Sequence, residues 1–342
     1  MLRFGFIGLG AMGMSHVNAM AALGHGVAEI TAVCSNTADH IQRVLKLAPA
    51  AKVFNRESEL LACPLDAVFV SIPYFRHVPV ALQVLKAEKH LFLEKPCGIS
   101  AAECQQLLAA SEDARQVVMI GHELRYSPFF QKIKALIKAG EIGRPHMVWC
   151  REFRGPFQPK SNDWIQDNER SGGTLVEKNC HHFDLMNWWV DSRPKRVCAF
   201  GGNALQSAKP GQANDHATVS FEYANHVRGT LHVCLFARDF PQEDLEMGII
   251  GDEGVLQTRI AALEILQWKR GARQTEPRIH AVAAHFGQGW GNHLGSDEIH
   301  QEFVSCILKN YQPLTTVRAC LDATLLAIAA EGSIRQGRMV EL

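Results

Sequence analysis

At 342 residues, with 47% apolar and 20% charged side chains, the chain has the make-up of an ordinary globular protein and is long enough for two domains with separate cores. Its 35 Lys and Arg balance its 35 Asp and Glu, so no basic field points to nucleic acid or an anionic membrane; a small neutral or weakly charged partner fits better. No run of about eighteen apolar residues and no signal-peptide pattern occurs, and the ten cysteines are scattered without a C-x-x-C pair, so reduced thiols and a cytoplasmic location are expected.

The chain opens on a short apolar strand over residues 2–7, then Gly8-Leu9-Gly10-Ala11-Met12-Gly13 and a helical pattern to about residue 23. Strand, G-x-G-x-x-G and helix in that order are the setting a dinucleotide loop requires. Gly8 makes the tight turn, Gly10 lets a pyrophosphate approach the backbone, and Gly13 lets the helix pack on the strand. The helix N-terminus at Ala11 and Met12 offers N–H groups to phosphate. Residues 30–34 read as the second strand, and the ribose-gripping position beyond it holds Ser35-Asn36-Thr37. A carboxylate there selects NAD and an Arg selects NADP. Ser35 and Asn36 hydrogen-bond either form, and with no cation beside them the expectation leans to NAD over NADP.

Residues 66–72 read as a further buried strand, leading through Ser71 and Pro73 to His77 at the start of a helix. Residues 91–98, LFLEKPCG, are an apolar strand that stops at Glu94-Lys95-Pro96. Pro96 cannot donate to a ladder, so Lys95 is left extended where the strand leaves its sheet, at the rim where open α/β sheets bind ligands. An ammonium held there can steady charge developing on an alcohol oxygen. A helix over 99–111 and a strand over 117–121 continue the alternation that gives a parallel, doubly wound sheet.

Further on come Arg125-Tyr126-x-Pro128, a helix to residue 138, Gly140-Glu141-Ile142-Gly143 and a strand over 147–153. The polar loop 155–171 contains Trp164, which either stacks on a sugar or nicotinamide face or packs in the core. If residues 175–184 are helical, Glu177 and His181 fall at i and i+4 on one face, with Asp184 a turn beyond and His182 pointing elsewhere. A carboxylate beside an imidazole orients it and suits it to act as a general base. The spacing is not H-E-x-x-H, so no metal is expected. Strand-like runs over 217–223, 227–236, 245–250 and 254–259 fit an antiparallel meander, with Gly251 to Gly254 as a hairpin turn. Residues 275–293 read as irregular, with Trp290 and His293 as candidate pocket residues, and helices over 297–308 and 317–333 close the chain.

The glycine loop, the S-I-P-Y-x-R-H run from Ser71 to His77, Glu94-Lys95-Pro96, Arg125 to Pro128 and Ser171 to Asp184 together resemble the Gfo/Idh/MocA family of glucose-fructose oxidoreductases and inositol dehydrogenases. The resemblance implies an N-terminal Rossmann domain over 1–122 and a C-terminal α/β domain over 123–342 built on a large open, mostly antiparallel sheet. It implies that Lys95 contacts nicotinamide and substrate, that His181 takes the substrate hydroxyl proton, and that Glu177 orients His181. Cofactor contacts are expected from the glycine loop, Ser35, Asn36, Ser71, Pro73, His77, Glu94 and Lys95, and substrate contacts from Arg125, Trp164, His181 and His293. The sequence departs from the family pattern at Tyr74, where many members have Asn; at Ile165, where many have Arg; at Glu177, usually Asp; and at Lys178-Asn179-Cys180, usually x-G-x.

The expected activity is hydride transfer between a sugar, glycoside or cyclitol hydroxyl and NAD or NADP. A glycoside hydrolase using NAD by transient oxidation, elimination, hydration and re-reduction is the alternative, and a noncatalytic nucleotide-binding protein on the same scaffold is a third reading. The open sheet leads to an expected homodimer or homotetramer.

Overall fold

The computed structural model describes residues 1–24, 26–158, 160–205, 211–237, 245–271, 276–285 and 293–342; Trp290 lies outside the described residues. The chain forms two compact units, Met1–Tyr126 with His285–Leu321, and Ser127–Ala284 with Asp322–Leu342.

The first unit is built on six parallel strands: β1 (Leu2–Ile7), β2 (Ala28–Cys34), β3 (Lys52–Phe54), β4 (Ala67–Val70), β5 (His90–Leu93) and β6 (Val118–Ile120). Their spatial order is β3-β2-β1-β4-β5-β6, so the winding reverses between β1 and β4. Because all strands run one way, the residues after β1, β2, β4 and β5 emerge at the same edge. β4 is wholly buried and β5 nearly so, which is why both read as unbroken apolar runs. Phe69 on β4 stacks on Phe6 at 5.0 Å and on Phe92 at 4.7 Å, and Phe303 meets it edge-on at 5.4 Å. Met14, Val17 and Met20 of helix α1 (Ala11–Ala22) join this core. Each such side chain contributes about 1.5–3 kcal/mol by burial. Phe303 belongs to the helix Ser296–Lys309, so the chain leaves this unit and returns late to complete it.

The second unit carries nine strands: β7 (Pro145–Phe153), β8 (Pro194–Gly202), β9 (His216–Tyr223), β10 (Arg228–Cys234), β11 (Leu245–Gly251), β12 (Gly254–Arg259), β13 (Glu264–Lys269), β14 (Arg278–Ala281) and β15 (Val340–Glu341). Their order is β14-β13-β12-β11-β7-β10-β9-β8-β15, antiparallel throughout except for β7 beside β10. Asp252 and Glu253 form the two-residue turn between β11 and β12, as Gly251 to Gly254 implied. The stretch read as irregular after residue 275 contains β14 instead; its short run pairs with β13, and His280 Nε2 donates to Gln267 Oε1 at 2.8 Å. One face of the sheet is closed by Val148, Cys150, Val219, Phe221, Leu231 and Met247, all buried. Among the described residues no helix is long and apolar enough to cross a membrane.

Candidate active site

The glycine loop leaves β1 at Gly8, whose φ of +88° and N–H donation to Cys34 O at 3.0 Å fix the turn. A Cβ on Gly8 would lie 2.3 Å from Ser71 O, and one on Gly13 would lie 2.1 Å from Gly8 O. Those two glycines are demanded by the chain's own packing. A Cβ on Gly10 would meet nothing within 4 Å, so Gly10 faces space that a ligand can occupy. Gly10 is also the N-cap of α1, with no side-chain cap and no acidic residue in the first turn. Uncapped N–H groups at a helix N-terminus beside open space suit a pyrophosphate, so these residues fit a dinucleotide.

The other expected cofactor residues follow the same sheet edge. Ser35 follows β2 and its Oγ accepts the Thr37 N–H at 3.2 Å, while Asn36 is exposed. Arg76, whose charge reaches the neighbouring Cys34, is paired with Glu57 at 2.5 Å. After β4, the Ser71 N–H donates to Ile7 O at 2.9 Å, and Pro73 leads into the tight turn Tyr74–Arg76. His77 is completely buried, with Nε2 2.9 Å from Ile72 O and Nδ1 3.1 Å from Pro96 O, and burial lowers its pKa. Its ring therefore braces the segment after β4 against the segment after β5, and any effect on a cofactor passes through those loops.

Lys95 follows β5, and its Nζ donates to Tyr74 Oη at 3.3 Å and lies 5.5 Å from the Tyr74 ring centroid. The departure from the family pattern at position 74 thus touches the ammonium directly. Glu94 is buried, with Oε1 2.9 Å from His16 Nε2. His16 went unnoticed in the sequence; the signal was a polar residue on the core face of α1, between Met14 and Val17. Arg125 is buried in the turn Glu123–Tyr126 and donates to Ala319 O at 2.9 Å. His293 Nδ1 lies 2.8 Å from Glu123 Oε1, so Arg125 and His293 gather at one turn of the first unit.

In the second unit the segment carrying Glu177 and His181 departs from a regular α-helix. Leu175–Asn179 form a π turn and only Cys180–Val190 are α-helical, so the simple i, i+4 geometry expected for Glu177 and His181 is widened. Such turns recur at functional sites. Glu177, His181 and Asp184 are all buried. The segment starts from Gly173, at φ +99°, where a Cβ would strike the Glu331 carboxyl at 2.5 Å; Glu331 Oε1 accepts the Leu175 N–H at 2.8 Å. Burial raises the Glu331 pKa to about 7.

Two of the three residues replacing x-G-x, Lys178 and Asn179, share a partner, Glu152 on β7. Asn179 Nδ2 donates to Glu152 Oε2 at 3.0 Å, and Lys178 Nζ lies 3.5 Å from Oε1. Arg154 and His182 approach the same carboxylate at 3.4 and 3.6 Å. Burial pushes the Glu152 carboxyl up, but Lys178, His182 and Arg154 outweigh it and hold the group below its ordinary range. His182 thereby faces β7, and it accounts for the difference between two adjacent histidines. Trp164 sits half-buried in the turn Ser161–Gln166, and Ile165 beside it is a core side chain.

Residues 2–122 match the NAD-binding Rossmann fold of an oxidoreductase family, and residues 134–342 match the C-terminal alpha/beta domain of the same family. The inositol 2-dehydrogenase of Salmonella typhimurium is 31% identical over 199 residues, 57% of this chain and 56% of that protein, so the chain spans little more than half the length of such relatives in these matches. The inositol 2-dehydrogenase of Rhizobium meliloti is 24% identical over 342 residues, 100% of this chain and 99% of that protein. The fold is shared with a levoglucosan dehydrogenase solved with NADH and levoglucosan, at a TM-score of 0.86 and 18% identity over 99% of both chains.

Proposed function

Because the chain belongs to the Gfo/Idh/MocA oxidoreductase family, we propose that it oxidises a ring hydroxyl of a cyclitol, sugar or glycoside with a nicotinamide dinucleotide. The observation that carries this reading is the placement of Lys95 on the sheet edge that also bears the glycine loop and its uncapped helix N-terminus. When bound, the dinucleotide supplies the hydride acceptor. Lys95 hydrogen-bonds the reacting oxygen and steadies alkoxide charge, with Tyr74 Oη holding its ammonium. His181 takes the hydroxyl proton as the C–H hydride leaves, and Glu177 orients its ring. Arg125, Trp164 and His293 are assigned to substrate, and Ser71, Pro73 and Glu94 to the cofactor side.

Ser35 and Asn36, with Arg76 engaged by Glu57, favour NAD over NADP. A homodimer or homotetramer is supported by the open face of the second sheet, where Met147, Phe200 and Ile279 are exposed, Phe200 at 73%. Reduced thiols and a nicotinamide cofactor fit a cytoplasmic location.

The test is a screen of inositols, free sugars and aryl glycosides with each cofactor, following reduced-cofactor absorbance and aglycone release together. Steady cofactor reduction on a polyol supports the proposal. Aglycone release without net reduction overturns it in favour of redox-assisted hydrolysis, and cofactor binding without any turnover overturns it in favour of a noncatalytic role.

A further inference from the structure

Three buried groups of the first unit form a run of hydrogen bonds that leaves their protons little choice. His300 Nδ1 lies 2.5 Å from Ser296 O, a carbonyl that only accepts, so the His300 proton sits on Nδ1 and Nε2 is left as an acceptor. Burial, followed by the charge of His16, pushes the His300 pKa down to about 3, so this ring carries no second proton near neutrality. His16 Nδ1, 2.8 Å from that Nε2, must therefore donate. The other His16 nitrogen faces Glu94 Oε1 at 2.9 Å.

With Nδ1 protonated, only two arrangements satisfy the last bond: an imidazolium donating to a carboxylate, or a neutral ring accepting from a protonated Glu94. The separations of 2.8 and 2.9 Å match charge-assisted hydrogen bonds, about 2.7–2.9 Å, which fits the first arrangement, His16 donating at both ring nitrogens. His16, Glu94 and His300 are only 2%, 6% and 2% exposed, and Phe69 and Phe92 flank the His16 ring at 5.3 and 5.0 Å. Among the described residues, the charge of Glu123 also acts on His300, and Glu94 acts on the buried His77.

We propose that His16 is a protonated positioning residue, an imidazolium donating to both His300 and Glu94 that locks the end of β5, and so Lys95, to the helix of the glycine loop. His16 stands three residues after Gly13, and Glu94 immediately precedes Lys95, so one charged hydrogen bond ties the phosphate-binding element to the ammonium. The role rests on the reading of Lys95 as the group that meets the reacting alcohol. Small misplacements of such a group cost about 100-fold in rate per ångström.

The test has a spectroscopic arm and a kinetic arm, both on the full chain. Nitrogen-15 NMR of histidine-labelled protein at neutral pH should show both His16 ring nitrogens protonated. Glu94→Gln, whose amide can donate to Nε2, should convert His16 to a singly protonated ring with circular dichroism unchanged. A singly protonated ring in the wild type, or a ring signal indifferent to Glu94→Gln, overturns the assignment. His16→Gln should lower kcat about 10-fold while the NAD dissociation constant stays within about 2-fold. Equal losses in kcat and in NAD binding overturn the positioning role. The ring signals need no substrate, so a wild type that turns over no polyol refutes the dehydrogenase reading and the positioning role with it, while the NMR decides the protonation separately.

Discussion

Lys95 Nζ and Tyr74 Oη lie 3.3 Å apart, one from the segment after β5 and the other from the segment after β4. The phenol oxygen limits where the ammonium can point. Tyr74→Phe keeps the ring that fills this corner and removes the acceptor, so kcat is expected to fall about 3- to 10-fold with thermal stability nearly unchanged. Lys95→Met should abolish turnover while NAD still binds, as read by fluorescence titration. Retained turnover in Lys95→Met would remove the amine from the reaction.

Two of the three glycines of the nucleotide loop should separate cleanly on substitution. Gly10→Ala adds a methyl to open space at φ −62°, so stability should change by less than about 0.5 kcal/mol while NAD binding weakens at least about 10-fold. Gly13→Ala places its methyl 2.1 Å from Gly8 O, so the fold itself should lose about 1–3 kcal/mol. Urea denaturation and NAD titration on both variants check this contrast.

Glu331 should make stability fall as pH rises. Its folded pKa is about 7 against an unfolded value of about 4.3, so between those limits the folded chain holds a proton that the unfolded chain has released. Stability therefore declines from about pH 4.3 to about pH 7, by at most about 4 kcal/mol from this group. Glu331→Gln keeps an oxygen for the Leu175 N–H and should flatten that decline, being more stable than wild type at pH 8 and equal to it at about pH 4. Urea unfolding at a series of pH values measures it.

Glu152 should act in the opposite sense. Its folded pKa lies below the unfolded value, so its contribution is present above about pH 4.3 and is lost as the solution is acidified through the folded pKa. Glu152→Gln leaves Lys178 beside an amide and should cost about 3 kcal/mol at pH 7, with the gap to wild type closing as the solution is acidified through the lowered folded pKa. Because Lys178 and Asn179 lie within the π turn leading to His181, kcat should fall as well, which steady-state kinetics will show.

Much of the first unit was legible because its signals are local. The strand, glycine loop and helix are contiguous, and fully buried parallel strands such as β4 and β5 appear as plain apolar runs. What escaped depended on partners distant in sequence. His16 gains its meaning from Glu94 and His300, 78 and 284 residues away, and Asn179 gains its own from Glu152. The π turn was hidden because its residues carry no period that differs from that of an α-helix over so short a span. β14 was missed because four residues at a sheet edge are too few to show alternation.

The late return of residues 285–321 to the first unit bears on how the protein is made. On a ribosome the nucleotide-binding strands emerge long before Phe303, Ile299 and Val304, the side chains that cover Phe4, Phe69 and Phe92. Until nearly nine-tenths of the chain has been synthesised, that aromatic face waits without its final cover, exposed to chaperones or to other nascent chains.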